Sequence, residues 1–131
     1  MPQDSVVVFV CEHGAAKSVI AAAYFNKLAS ETDLKSRAIA RGTNPDDELS
    51  PSAIAGLRED GLTPAVSVPQ KLSMEDAESA QRIISFCELP EGYQQKAIIE
   101  QWDGIPPVSE NYEKARDVIL EKLKALIKEL R

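Results

Sequence analysis

The sequence predicts an α/β fold in which helices cover both faces of a parallel sheet. Strand-like and helix-like segments alternate along the chain, which is the pattern of βαβ units. The first strand, residues 5 to 10, is continuously apolar, as expected for a strand buried on both faces of a parallel sheet. With 131 residues and neither an internal repeat nor a linker, residues 1 to 131 are predicted to form one three-layer domain.

In the first half of the chain, a helix that is apolar almost all round follows over residues 19 to 28. Residues 36 to 40 form a weaker second strand. Ser50 and Pro51 have the preferences of an N-cap and a first helical residue. The helix that they begin is expected to end before Gly61, which suits the position after a helix.

The second half begins with a short helix near residues 73 to 76, whose acidic residues suit a helix N-terminus. Residues 82 to 87 are predicted as the third strand and residues 97 to 101 as the fourth. The final helix carries one apolar stripe at steps of three and four residues, formed by Ala115, Ile119, Leu123, Leu126 and Leu130. Ligands of such folds bind beyond the carboxyl ends of the strands, so this edge is the expected site.

Composition excludes several classes of partner. The net charge is −6 and no basic stripe stands apart from acidic residues, which argues against nucleic acid. The longest apolar runs, residues 6 to 11 and 19 to 25, are far below the ~20 residues of a membrane span. No basic residue precedes the first apolar run, so a signal peptide is not expected. The two cysteines do not suggest a disulfide framework, and we expect a cytoplasmic monomer.

The loop after the first strand contains the candidate catalytic residues. Backbone N–H groups between a strand and a helix N-terminus converge on one point, where they and the helix dipole bind an oxyanion. The same field lowers the pKa of a cysteine, which favours the nucleophilic thiolate. Cys11 stands at the start of this loop, Gly14 permits a kink, Lys17 adds a positive charge, and Ser18 can donate its hydroxyl to the sulfur.

A nucleotide-binding P-loop is a rival interpretation of this segment. That motif needs a glycine directly before the lysine and another five residues earlier. The chain has Ala16 and Cys11 at those positions, so the nucleotide interpretation fails.

Structural interpretations of the same residues remain open. Cys11 and Cys87 could be small buried side chains. His13, the single histidine, could be a surface residue of the loop rather than a proton donor or a cationic partner for the thiolate. Adjacent residues rarely converge on one ion, so Cys11, Glu12 and His13 do not suggest a metal site, and neither a metal nor a cofactor is expected. Asp103 could be a solvated acid of its loop.

The loop resembles the C-x5-R-[ST] signature of the low-molecular-weight protein tyrosine phosphatases and the related thioredoxin-coupled arsenate reductases. It reads C-EHGAA-K-S, so Cys11 and Ser18 match and Lys17 stands where the family has arginine. Further similarities follow in the family's order: ARGT, SPSAIAGLREDGL, QKLSMEDAESAQRIISFC and QWDGIPP. The resemblance implies a four-stranded parallel sheet of order 2-1-3-4 with Cys11 as the nucleophile.

The resemblance also implies a set of oxyanion-binding and catalytic residues. The anion would be held by the loop, that is by Glu12, His13, Gly14, Ala15, Ala16 and Lys17. Lysine lacks the planar fork of arginine, and Arg41 is the candidate for a compensating guanidinium. The family's acid is the aspartate of an Asp-Pro pair, where this chain has Pro106, so Asp103 is the nearest candidate.

Cys87 matches the second cysteine of the arsenate reductases, which attacks the first. No third cysteine exists, so either a Cys11–Cys87 disulfide is opened by an outside thiol or a small thiol resolves Cys11 directly. The implied partners are arsenate, phosphate or a phosphomonoester, with a thioredoxin-like protein or a low-molecular-weight thiol as reductant. Arsenate-reductase-like chemistry ranks first. Tyrosine phosphatase activity and a non-catalytic oxyanion-binding module are the alternatives.

Overall fold

The computed structural model describes residues 6–87 and 98–130. The strands and helices follow one another in the order that the sequence predicts. In chain order the elements are β1 (Val6–Cys11), α1 (Lys17–Glu31), β2 (Arg37–Gly42), α2 (Pro51–Glu59), α3 (Met74–Ser79), β3 (Ala80–Ser85), β4 (Ile98–Gln101) and α4 (Tyr112–Leu130).

The four strands form one parallel sheet of order β2-β1-β3-β4, which confirms the predicted topology. β1 lies between β2 and β3, and its side chains from Val7 to Val10 are fully buried, as expected for a strand covered on both faces. Cys11 pairs with Gly42 of β2, and Val10 pairs with Ser85 of β3. The carboxyl ends of three strands therefore meet at one edge of the sheet.

The end of β3 lies two residues earlier than predicted. Cys87 was expected as the last residue of the strand, but β3 ends at Ser85. The Ser85 hydroxyl accepts a hydrogen bond from the Cys87 backbone N–H at 3.2 Å and donates one to the Cys87 carbonyl. This local turn competes with continued strand pairing, so the chain bends before the cysteine.

Helices cover the two faces of the sheet unequally. α1, α2 and α4 pack on one face around Phe9 and Phe25, and α3 packs on the other face near Val8 and Val10. The predicted apolar stripe of α4 is buried except for its last residue, Leu130, which is only partly covered. Ile127, which was not part of the predicted stripe, is buried as well. No helix within residues 6–87 and 98–130 is long and apolar enough to cross a membrane.

Two of the predicted helix starts are capped, and the cap at Ser50 is the one that the sequence predicts. The Ser50 hydroxyl accepts a hydrogen bond from the Ala53 N–H at 3.3 Å, with Pro51 at the first helical position of α2. At α3, Ser73 and Asp76 form a reciprocal capping box.

Asp60, directly after α2, joins three helices. Its carboxylate accepts hydrogen bonds from the hydroxyls of Tyr24 on α1 and Tyr112 on α4, and from Arg116 of α4. Burial by itself would raise the pKa of Asp60, but these hydrogen bonds and the guanidinium charge hold it below its usual range. Burial and the same carboxylate raise the pKa of Tyr24 to about 12. These hydrogen bonds of Asp60 connect the end of α2 to α1 and α4 and stabilise the packing of the three helices on this face of the sheet.

Candidate active site

Cys11 is the last residue of β1, and α1 begins six residues later at Lys17. Residues 12 to 16 between them are called the cradle loop here. The Cys11 sulfur lies 3.1 Å from the hydroxyl oxygen of Ser18, and both side chains are buried. A hydroxyl at this distance can donate to a thiolate and stabilise its charge.

The carbonyls near the cradle loop are held by the segment after β2. The carbonyl oxygens of Cys11, Glu12, His13 and Ala15 accept hydrogen bonds at 2.7–3.2 Å from the N–H groups of Thr43, Asn44, Asp46 and Ser50, respectively. Among the described residues, the N–H groups of residues 12 to 16 donate to no protein acceptor. Free N–H groups beside the N-terminus of α1 are the arrangement that binds an oxyanion.

A contact between two glycines fixes the position of the cradle loop. Gly14 has a φ of +62°, which favours glycine. A Cβ atom on Gly42, at the end of β2, would lie 2.7 Å from the Gly14 nitrogen. Both positions therefore need glycine, because the backbones of β2 and the loop touch.

A cleft of about 910 Å³ opens above Cys11. Its lining comprises Cys11, most of the cradle loop, Lys17, residues 46 to 51, Phe86, Cys87, Val108 and Ser109. The two cysteines of the chain therefore face the same cleft, and neither forms a disulfide.

The lining combines one lysine with several acids. Of the described lysines and arginines, Lys17 alone lines the cleft, at the side of the cradle loop. Opposite charges come from Glu12, Asp46, Asp47 and Glu48. The imidazole of His13 lies between two of these carboxylates, with Nδ1 3.1 Å from Asp46 Oδ1 and Nε2 3.8 Å from Glu12 Oε2. The N–H groups of the cradle loop and the Lys17 ammonium thus favour an anion, while four carboxylates line the same cleft.

Most of the residues predicted for the site are brought together. The cleft is lined by Cys11, Glu12, His13, Ala15, Ala16, Lys17 and Cys87. Ser18 contacts the Cys11 sulfur. Gly14, the remaining residue of the cradle loop, packs against Gly42. Among the residues that the structure describes, no group of three or more His, Cys, Asp or Glu side chains could hold a metal ion.

Arg41 does not line this cleft, contrary to the expectation that it compensates for Lys17. Its Nε lies 2.9 Å from Asp76 Oδ2, and its Nη1 donates to the Ala40 carbonyl. Side chains alternate along a strand, so Ala40 faces the larger core while Arg41 points toward α3. The capping box of α3 places Asp76 there as its partner.

Asp103 also lies outside the cleft. Its exposed carboxylate accepts a hydrogen bond at 3.0 Å from Gln101 Nε2. The chain then turns at Gly104, whose φ is +78°. Val108 and Ser109 reach the cleft instead, and neither side chain is an acid.

Two parts of the site were not predicted from the sequence. The acidic segment at residues 46 to 48 was not assigned to the site, although it begins three residues after the ARGT segment that resembles the family. The turn at Ser85, which presents Phe86 and Cys87 to the cleft, has no distinctive sequence signal.

Solved structures with the same architecture are numerous. The protein YfkJ from Bacillus subtilis aligns with a TM-score of 0.85 at 18% identity, over 98% of this chain and 95% of that one. An arsenate reductase from Archaeoglobus fulgidus gives a TM-score of 0.76 at 25% identity, over 93% and 98% of the two chains. A low-molecular-weight protein tyrosine phosphatase from T. tengcongensis gives a TM-score of 0.76 at 18% identity, over 97% and 100%.

Sequence comparison gives a family assignment. No curated protein sequence matches the chain. The sequence model of the low molecular weight phosphotyrosine protein phosphatases matches residues 6–103, which include the strand, cradle loop and helix that carry Cys11. The chain therefore belongs to the low-molecular-weight phosphotyrosine protein phosphatase family.

Proposed function

We propose that this protein is a thiol enzyme that reduces arsenate, with Cys11 as the nucleophile. The observation that carries the proposal is that Cys11 and Cys87 line one cleft, beside free N–H groups suited to an oxyanion. The structural similarity to an arsenate reductase at 25% identity also supports it. The setting is a reducing cytoplasm, in which both thiols stay available.

In the first step, the cradle loop and Lys17 bind arsenate above Cys11. The Cys11 thiolate, stabilised by the Ser18 hydroxyl, attacks arsenic and forms a sulfur–arsenic bond. One arsenic–oxygen bond breaks, and the departing oxygen takes up a proton and leaves as water. Arsenic is still pentavalent at this stage.

In the second step, a thiolate attacks the Cys11 sulfur and forms a disulfide. The sulfur–arsenic bond breaks with its electron pair going to arsenic, which leaves as trivalent arsenite. Cys87 is the internal candidate for this attack, and Ser85 Oγ lies 3.7 Å from its sulfur. A thioredoxin-like protein or a low-molecular-weight thiol then reduces the disulfide and restores both cysteines.

Hydrolysis of a phosphomonoester is the second candidate. A cleft of about 910 Å³ is far larger than arsenate requires and has the size of sites that accept small organic ligands. The same Cys11 attack would then form a phosphocysteine, which water hydrolyses. Lys17 disfavours this candidate, because an ammonium gives no bidentate grip on a transferring phosphoryl group.

Turnover with purified protein tests both candidates. Arsenate is supplied with either a thioredoxin system or glutathione, and arsenite is measured, while 4-nitrophenyl phosphate is assayed in parallel. Cys11→Ser should abolish both activities. Cys87→Ser should abolish arsenite formation with thioredoxin while leaving phosphate-ester hydrolysis in place. A protein that binds phosphate but turns over neither substrate is an oxyanion-binding module, and the proposal is then wrong.

A further inference from the structure

We infer that His13 is the general acid of this site and protonates the oxygen that leaves when Cys11 attacks. The inference rests on the proposed function, because it needs a Cys11 reaction with a leaving oxygen. It deepens that proposal by assigning a role that the family's own motif leaves unfilled in this chain.

The usual position of the acid holds no proton donor. The resemblance implies that the family's Asp-Pro pair falls at Pro106 and Pro107 in this chain. Asp103 is exposed outside the cleft and bonded to Gln101. An alkoxide or hydroxide is a poor leaving group without a proton, so the reaction needs a donor from elsewhere.

The described part of the cleft presents that donor on the cradle loop itself. His13 lines the cleft with Cys11, and two contacts attach it to Asp46: the Asp46 N–H donates to its carbonyl at 3.0 Å, and Asp46 Oδ1 lies 3.1 Å from Nδ1. The contact at Nδ1 leaves Nε2 as the atom that can exchange a proton with substrate. Nε2 is 3.8 Å from Glu12 Oε2, beyond hydrogen-bond distance.

The other titratable groups of the lining suit the role less well. Besides His13, the described lining carries the carboxylates of Glu12, Asp46, Asp47 and Glu48, the Lys17 ammonium and the two thiols. Carboxyl groups are ordinarily ionised at neutral pH, and lysine ordinarily keeps its proton there. Imidazole is the side chain that both gives and regains a proton near neutrality. More than half of the imidazole is exposed, so water can reprotonate it.

The first proton transfer is the same in both proposed reactions. Protonated His13 gives its Nε2 proton to the departing oxygen, which leaves as water from arsenate or as an alcohol from a phosphomonoester. His13 is left neutral. In hydrolysis it then takes a proton from the water that attacks phosphocysteine, which restores the imidazolium and the Cys11 thiolate. In arsenate reduction bulk water reprotonates it.

The test compares leaving groups in His13→Asn. Loss of a general acid slows turnover by about 10²- to 10⁴-fold, and the loss is larger for a leaving group that needs its proton more. We expect kcat/KM, which reports the step that forms phosphocysteine and releases the alcohol, to fall by at least ~100-fold for phenyl phosphate and by about tenfold or less for 4-nitrophenyl phosphate. The fall in kcat of the wild type at alkaline pH should disappear in the variant. The dissociation constant of phosphate should change little, which separates catalysis from binding.

Two carboxylate variants separate positioning from charge. Asp46→Asn should lower kcat and move the alkaline limb of the pH profile, because it removes the carboxylate at Nδ1. Asp47→Asn removes the same charge from the same cleft without touching the imidazole, so its effect on the pH profile should be smaller. Equal effects of the two variants would make the influence of Asp46 one of net charge, which contradicts its positioning role.

The outcomes distinguish the two levels of the proposal. If the wild type turns over neither arsenate nor an aryl phosphate, both the proposed function and the role of His13 are wrong. If the wild type is active and His13→Asn keeps its rate and pH profile, the role of His13 alone is overturned. If only arsenate is turned over, the alkaline limb of arsenite formation is the readout, and its persistence in His13→Asn overturns the inference. Since the chain has one histidine, modification of the wild type by diethylpyrocarbonate should reproduce the variant.

Discussion

Replacing Gly42 by alanine should displace the cradle loop without removing any chemical group from the site. Gly42 is the last residue of β2 and pairs with Cys11. Its added Cβ would lie 2.7 Å from the Gly14 nitrogen and 2.9 Å from both the Gly14 Cα and the His13 carbonyl carbon. All three atoms belong to the backbone, so no side chain can rotate away to relieve the contact.

The size of the effect follows from these distances. Ordinary contacts begin at 3.4 Å, so the closest approach is short by about 0.7 Å and the loop must move by a comparable amount. Overpacking of this kind costs about 1–3 kcal/mol of unfolding free energy. A misplacement of about 1 Å in a catalytic site can lower the rate on the order of 10²-fold, so function should suffer more than stability.

Thermal unfolding with and without phosphate measures both effects. A ligand that binds only the native state raises the melting temperature, and Gly42→Ala should lose most of that rise. Gly61→Ala is the matched control: Gly61 has a φ of +79°, so alanine is strained there, but no atom of the described residues lies within 4 Å of the added Cβ. The control should lose about 1–2 kcal/mol of stability and keep the response to phosphate.

Full protection by phosphate and full activity in Gly42→Ala would contradict this prediction. Such a result would mean that β2 and the cradle loop separate at little cost, and that the glycine contact does not determine the shape of the anion site. Equal loss of phosphate protection in Gly61→Ala would be just as damaging, because it would trace the effect to general destabilisation.

Three further predictions concern the two cysteines, Lys17 and Asp60. Iodoacetamide should label Cys11 faster than Cys87, because the cradle loop and α1 favour its thiolate. Phosphate bound in the cradle loop should slow the labelling of Cys11. Mass spectrometry of the two peptides measures both rates. Lys17→Arg should raise kcat/KM for 4-nitrophenyl phosphate by about tenfold or more, since a guanidinium grips two oxygens of the transferring group. Asp60→Asn should lower the free energy of unfolding by roughly 1–3 kcal/mol at neutral pH, measured by urea titration, because the native hydrogen bonds hold the pKa of Asp60 low. That difference should be complete above about pH 5 and shrink as the pH falls through the unfolded and then the native pKa, since the depressed native pKa stabilises only the ionised form.

Each of these predictions has an opposing result. Faster labelling of Cys87 would contradict an activated Cys11. An unchanged or lower kcat/KM in Lys17→Arg would show that the loop geometry, rather than the missing guanidinium, limits hydrolysis. A destabilisation by Asp60→Asn that is equally large at pH 3 and pH 7 would exclude linkage to the carboxylate charge and assign the loss to packing.

Much of the fold could be predicted because its signals are local. The apolar run of β1 specifies a strand buried on both faces, and the Ser50 and Ser73 hydroxyls cap the helices that follow them. The cradle loop was found in the same way, since Cys11 and Ser18 lie only seven residues apart and their contact needs one turn of chain. Local signals of this kind depend on backbone geometry and on hydrogen bonds between near neighbours.

Other features were decided only by tertiary structure. Arg41 is drawn to Asp76, 35 residues away, because strand alternation turns it toward α3. The sequence marked Gly14 as a kink, but only the packing of β2 against the loop makes Gly42 necessary. The placement of His13 beside Asp46 likewise depends on how residues 43 to 50 fold back over the loop. The sequence by itself determined which segments form strands, helices and the nucleophile loop. The partners of the charged side chains required the tertiary structure, because contacts between distant residues depend on register and packing that no local pattern encodes.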